Sequence, residues 1–168
     1  MVGLARMMNS PIPREVQVSA SNKLNAATDG FTLFITSGME RELLTSTGET
    51  TIAHELAHAQ YHHSSKTSAV LAALVGVACL IGAPFSVLHI LAAAVMGTLA
   101  FLTLTAFVLP LISRRMEYDA DAKAAAVFGL GAMIATLQSL VPSEKWDLES
   151  DSHPSIRARV RRLGETSN

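Results

Sequence analysis

Charge is missing where the chain is most hydrophobic: between residues 68 and 112 there is no Asp, Glu, Lys or Arg. Charged residues make up 16% of the 168 residues, hydrophobic residues make up 49%, and the mean hydropathy is +0.33. That balance is too apolar for an ordinary soluble domain and points to a lipid bilayer as partner. Cysteine is nearly missing as well. Cys79 stands alone, which excludes an internal disulfide and leaves no mark of an oxidising compartment. The net charge of −1 lacks the polyelectrolyte character of a nucleic-acid binder. Residues 1–16 hold no apolar run long enough for a signal peptide. The length suits one domain, residues 1–168.

The uncharged block is divided by Gly-Ala-Pro-Phe-Ser at residues 82–86, a turn signal. Two segments result, about 68–83 and 87–112. A bilayer needs ~20 apolar residues with a lower limit of ~17, so the second segment is long enough and the first is near the limit. The expectation is a transmembrane helical hairpin inserted at residues 68–112. The competing reading is a buried hairpin in a soluble all-helical core. It is disfavoured because core helices rarely stay uncharged for so long, and few other residues remain to wrap them. Lys66 precedes the hairpin, and Arg114 and Arg115 follow it, while the connecting turn is uncharged. The positive-inside bias then puts both ends in the cytoplasm. His89 lies in the second segment near the turn, and intramembrane ionisable groups are often functional. Its position far from the motif below favours a neutral interfacial histidine, bonded to Ser86 or a headgroup.

That motif is His-Glu-x-x-His in "TIAHELAHAQ". On a helix His54 and His58 share one face a turn apart, as two imidazoles of one tetrahedral zinc site require. Glu55 falls beside the metal, placed to take a proton from the attacking water. Ser46 to Glu49 has capping-box spacing, which supports a helix start there. The bland alternative is a surface helix with two solvated histidines. A catalytic site also needs a third protein ligand and an open fourth position. Upstream, residues 16–18 and 31–36 read as short strands, separated by Asn22, Asn25, Asp29 and Gly30, and residues 39–44 read as a short helix. Strands followed by helices suggest an α+β arrangement, mainly helical.

The third ligand should come from "RRMEYDADAKAAAVFGLG", an Ala-rich helix expected to end at Phe128, where Gly129 and Gly131 break it. Glu117 and Asp121 share a face there; Asp119 points elsewhere. One carboxylate could bind zinc while the other accepts from a ligand histidine. The same acids could equally be a solvated first turn favourable to the helix dipole. Spacing alone leaves both readings open.

Taken in order, "NKLNAATDGFTLFITSGM", "TIAHELAHAQYHH", a membrane hairpin, "RRMEYDADAKAA" and "SHPSIRARVRRL" resemble the M48 family of membrane zinc metallopeptidases, in particular its HtpX-like branch. The resemblance covers nearly the whole chain. It implies a zincin-like (gluzincin-type) catalytic domain interrupted by the hairpin, and one Zn2+ per chain. It further implies Glu117 as third zinc ligand, Asp121 as support for a ligand histidine such as His54, and His153 and Arg159 near the active site. His153 is a candidate for holding the oxyanion or the substrate backbone. Asn25 matches a family Asn-Ala element of unassigned role, and Ser155 stands where the family often has a second proline. Such proteins usually carry two further membrane segments before the catalytic part, so a short member or a fragment is expected. His62, four beyond His58, is expected to face solvent or the membrane surface. The function implied is a membrane-bound zinc endopeptidase that degrades misfolded or damaged proteins at the cytoplasmic face of a bacterial inner membrane. Its partners would be protein or peptide substrates and the bilayer, with no nucleic acid. An exposed edge at residues 31–36 would suit loose specificity by pairing with extended substrate. Two other functions stay open: a signalling protease that cuts one regulator, and an inert metal-binding membrane scaffold.

Overall fold

A computed structural model of the chain describes residues 2–86, 89–150 and 153–165. It begins with helix α1 (Val2–Met7) and strands β1 (Glu15–Ser19), β2 (Ala26–Thr28) and β3 (Thr32–Thr36). Helices α2 (Ser37–Glu42), α3 (Ser46–Gln60), α4 (His63–Ser86), α5 (Ile90–Phe128) and α6 (Leu130–Ser139) follow. A 3-10 turn (Ser143–Lys145) and helix α7 (Ile156–Glu165) complete it. The architecture is α+β and mainly helical, as expected.

The sheet order is β1-β3-β2, with β1 parallel and β2 antiparallel to β3. β2 was not expected, because Ala-Ala-Thr has weak strand preference and sits among turn residues. Its pairing with β3, Ala26 opposite Ile35 and Thr28 opposite Leu33, makes it a strand. Asp29 closes that hairpin: its Oδ1 accepts from the backbone N–H groups of Phe31 and Thr32 at 2.8 and 2.7 Å. Gly30 occupies φ +98°, which side-chain-bearing residues rarely adopt. The expectation that residues 31–36 offer an edge to substrate is overturned. β3 is hydrogen-bonded on both sides, so β1 and β2 hold the free edges.

Two helix starts also differ from expectation. Thr36 Oγ1 accepts from the Met39 N–H at 3.2 Å, so α2 begins at Ser37 and ends at Glu42. The cap of α3 is Thr45, whose Oγ1 accepts from the Gly48 N–H at 3.2 Å; Ser46 is already helical and the expected capping box does not form. Gly48 is needed for contact. A Cβ there would collide with the Glu42 carbonyl group.

In the hairpin, α4 does not end at residues 82–86 but continues through Pro84 to Ser86. Backbone groups in an apolar stretch gain more from helical bonds than proline removes. The connection to α5 includes residues 87 and 88, which lie outside the described residues. Gly82 lets the two helices meet, since a Cβ there would lie 2.8 Å from the Ala93 carbonyl oxygen. The most apolar window of α4 is 17% buried and that of α5 is 0% buried, so neither is wrapped by the rest of the chain. His89 is the exposed N-cap residue of α5, and Ser86, its expected partner, has a side chain outside the described residues.

A break after Ile112 does not occur. α5 runs unbroken for 39 residues, through Pro110, Arg114 and Arg115. At 1.5 Å per residue that is roughly 58 Å, about twice a hydrocarbon core of ~30 Å. Its far end enters the protein core, burying Glu117, Ala120, Asp121 and Ala124. Gly129, at φ +91°, ends it; Gly131, expected to help, lies inside α6. The core joins Leu33 and Ile35 of β3, Ile52 and Leu56 of α3, and Met133 and Leu137 of α6. Ala53 and Ala57 of α3 and Ala120 and Ala124 of α5 are all fully buried in it.

Because the Gly48 collision is with backbone, no side-chain rotation relieves it. Gly48→Ala is expected to cost about 1–3 kcal/mol, as overpacking does, seen as a lowered thermal midpoint in detergent. An unchanged midpoint would show that the α2–α3 turn yields.

Candidate metal centre

α3 and α5 present their polar residues beside the buried alanines. The Nε2 atoms of His54 and His58 are 3.0 Å apart. Glu117 Oε2 lies 3.5 Å from His54 Nε2, and Glu117 Oε1 lies 3.3 Å from His58 Nε2. Ligands held at ~2.0–2.2 Å around a tetrahedral ion stand roughly 3.3–3.6 Å from one another. The three side chains could hold one metal ion.

The surroundings extend the cluster. His54 Nδ1 is 2.9 Å from Asp121 Oδ1. Arg159, on α7, grips Asp121 with two bonds, Nε to Oδ2 at 2.7 Å and Nη2 to Oδ1 at 2.5 Å. Its Nη1 also lies 3.3 Å from Glu117 Oε2. Ser155 Oγ accepts from the Ala158 N–H at 3.2 Å, so this serine secures the first turn of the helix that carries Arg159. Glu55 and His54 line a cavity of about 240 Å³ together with Asn25, Ala26, Glu117 and His153. His153 stands at its mouth, with Nε2 3.7 Å from Glu117 Oε1 and its side chain 59% exposed. Asp119 and His62 are exposed and outside the cluster.

One residue of the cluster was not anticipated. His63 is buried, and its Nδ1 is 2.6 Å from His58 Nδ1. The five-residue spacing fits no helical period. His62 breaks the helix with φ 53°, and that kink turns His63 back toward His58.

Two observations fit the cluster to a divalent cation. Glu117 Oε2 is buried without a hydrogen-bond partner among the described residues. The carboxylates of Glu55, Glu117 and Asp121 face one guanidinium, Arg159, an excess of two negative charges that a divalent ion balances.

Ionisation follows the same contacts. Burial works against protonation of His54, but the carboxylates of Asp121 and Glu117 outweigh it and raise its pKa to about 10. Burial likewise opposes ionisation of Glu117. The neighbouring imidazoles of His54 and His58 outweigh it and hold the carboxyl well below the usual range. Burial pushes the Glu55 carboxyl up, against the pull of His54 and His58. Burial, then the neighbouring His58, pulls His63 down to about 4, so it is neutral at physiological pH.

The sequence matches peptidase family M48 over residues 1–167. The chain belongs to peptidase family M48. Its M48 fold resembles the crystal structure of S. mikatae Ste24p with a TM-score of 0.62, at 17% identity over 95% of this chain and 49% of that one. The M48 chain thus spans about half the length of that structure. No curated protein matches it.

Two outcomes follow for metal binding by this M48 protein. In the metal-free state His54 has a folded pKa above its unfolded value, so its contribution to stability is full below pH 6.5 and lost as pH rises through about 10. A metal must displace that proton. Uptake near neutral pH is expected to release a proton, with affinity rising about tenfold per pH unit; calorimetry in buffers of different ionisation enthalpy measures this, and pH-independent affinity would contradict it. Asp121→Ala is expected to weaken metal binding about 10–100-fold, measured by chelator competition; unchanged affinity would separate Asp121 from the centre.

Proposed function

We propose that the chain is a membrane-bound zinc endopeptidase with a gluzincin-type catalytic domain, residues 1–168, into which the hairpin at residues 68–112 is inserted. The observation that carries this reading is the convergence of His54, His58 and Glu117 on one point, with Glu55 lining the same cavity. His54, His58 and Glu117 are the ligands. Asp121, gripped by Arg159, orients His54. When bound, the metal supplies Lewis acidity, polarising the peptide carbonyl and lowering the pKa of water toward ~7.

The chain's own groups do the rest. Glu55 takes the proton of the attacking water and delivers it to the leaving amine. Its burial-raised pKa suits a group that must hold a proton between the two steps. His153, at the cavity mouth, steadies the developing oxyanion or the substrate backbone. The edge of β2 replaces β3 as the rail for an extended substrate, because Ala26 at its start and Asn25 just before it line the cavity. Main-chain pairing reads no side chains, which suits turnover of misfolded or damaged membrane proteins.

The exposed apolar windows of α4 and α5 support membrane insertion. Lys66, Arg114 and Arg115 flank them, which favours a cytoplasmic active site and, with the family resemblance, a bacterial inner membrane. Glu55→Gln is the test. The variant is expected to retain one zinc per chain while losing at least about 10²–10⁴ in casein cleavage. Equal cleavage by wild type and variant would remove Glu55 from the chemistry. Bound zinc with no cleavage by either, of casein or of a membrane-protein substrate, would favour the inert scaffold.

A further inference from the structure

We infer that His63 is the positioning residue for the metal ligand His58, accepting a hydrogen bond from His58 Nδ1 and so turning Nε2 toward the ion. This rests on the reading of His54, His58 and Glu117 as the ligand set. The two Nδ1 atoms are 2.6 Å apart, with ring centroids separated by 4.8 Å and planes inclined by 70°. At that distance one proton lies between the nitrogens, because two bare lone pairs would repel. His58 must keep its Nε2 lone pair for the metal, so its proton sits on Nδ1 and His58 is the donor. His63 is then the acceptor, neutral, with its own proton on Nε2.

His63 is held for this task. It is buried, its ring stacks on Tyr61 at 5.5 Å and 24°, and it is the first residue of α4. The two imidazoles are therefore oriented by unlike partners. His54 meets the carboxylate Asp121, whereas His58 meets a neutral ring that adds no charge. Histidine ligands of metals generally donate their other N–H to an acceptor, and that acceptor sets ring orientation and basicity. The placement also ties the centre to the hairpin. α4 orients one ligand from its first residue, and α5 supplies Glu117 and Asp121 from its far end.

The competing view is that His63 only fills space beneath Tyr61. His63→Phe separates the two, since it keeps a ring but removes the acceptor; His63→Asp loses the ring but restores an acceptor. The full chain in detergent, freed of metal, is titrated with Zn2+ against a chromophoric chelator, and the thermal midpoint of each metal-free form is recorded. Zinc affinity is expected to fall about 10–100-fold in His63→Phe and to return to within a few-fold of wild type in His63→Asp. If His63→Phe does not fold, His63→Ala is read the same way. Wild-type affinity in the acceptor-free variant, or equal losses in the Phe and Asp variants, would overturn the inference. Glu117→Ala is the control. If it binds zinc as wild type does, the ligand reading fails, and the inference with it.

Discussion

Everything at the centre depends on how closely α3 and α5 pack. Each helix offers a pair of fully buried alanines one turn apart, Ala53 and Ala57 on α3 and Ala120 and Ala124 on α5. Small side chains at such a contact let two helices approach at the short end of the usual 8–10 Å range. The residues beside each pair, His54 and His58 on one helix and Glu117 and Asp121 on the other, are thereby carried toward one another. Larger side chains at the alanine positions would push the two helices apart, and with them His54, His58 and Glu117. The centre is therefore a property of the apolar packing beneath it.

That packing also resolves an electrostatic problem. Placing three carboxylates and a guanidinium in a nearly dry core is costly unless each charge has a partner. Arg159 satisfies Asp121 with both of its bonds and leans on Glu117. The remaining excess is negative and lies where the imidazole nitrogens and Glu117 converge. In the metal-free state the proton on His54 offsets part of it. The same groups serve either state, so exchanging that proton for a cation needs little rearrangement. α5 adds a mechanical constraint, because one uninterrupted helix carries both an exposed apolar span and Glu117, the proposed ligand. Its position in a bilayer and its position in the centre are not independent.

Much of this was legible in the residues. The i, i+4 spacing put His54 and His58 on one face and likewise Glu117 and Asp121, and the uncharged run marked the hairpin. What escaped depended on tertiary contact. β2 is an Ala-Ala-Thr segment that becomes a strand only through β3, and once it does, β3 has no free edge. The cap of α3 shifted to Thr45 because Gly48 must sit against the end of α2. The apolar segment expected to end at Ile112 and the Ala-rich helix expected after it are one helix, which continues through Arg114 and Arg115 to Phe128. His63 was invisible because no helical or strand period links it to His58; a left-handed backbone at His62 does.

X-ray absorption at the zinc edge, on the full chain loaded with one equivalent of zinc in detergent, addresses the central claim most directly. The account predicts two imidazole nitrogens at ~2.0–2.1 Å, carboxylate oxygen at ~2.0–2.2 Å and no sulfur, with the carboxylate signal lost in Glu117→Ala. A first shell with sulfur, with more than two imidazoles, or unchanged by Glu117→Ala would contradict a centre built by α3 and α5 together.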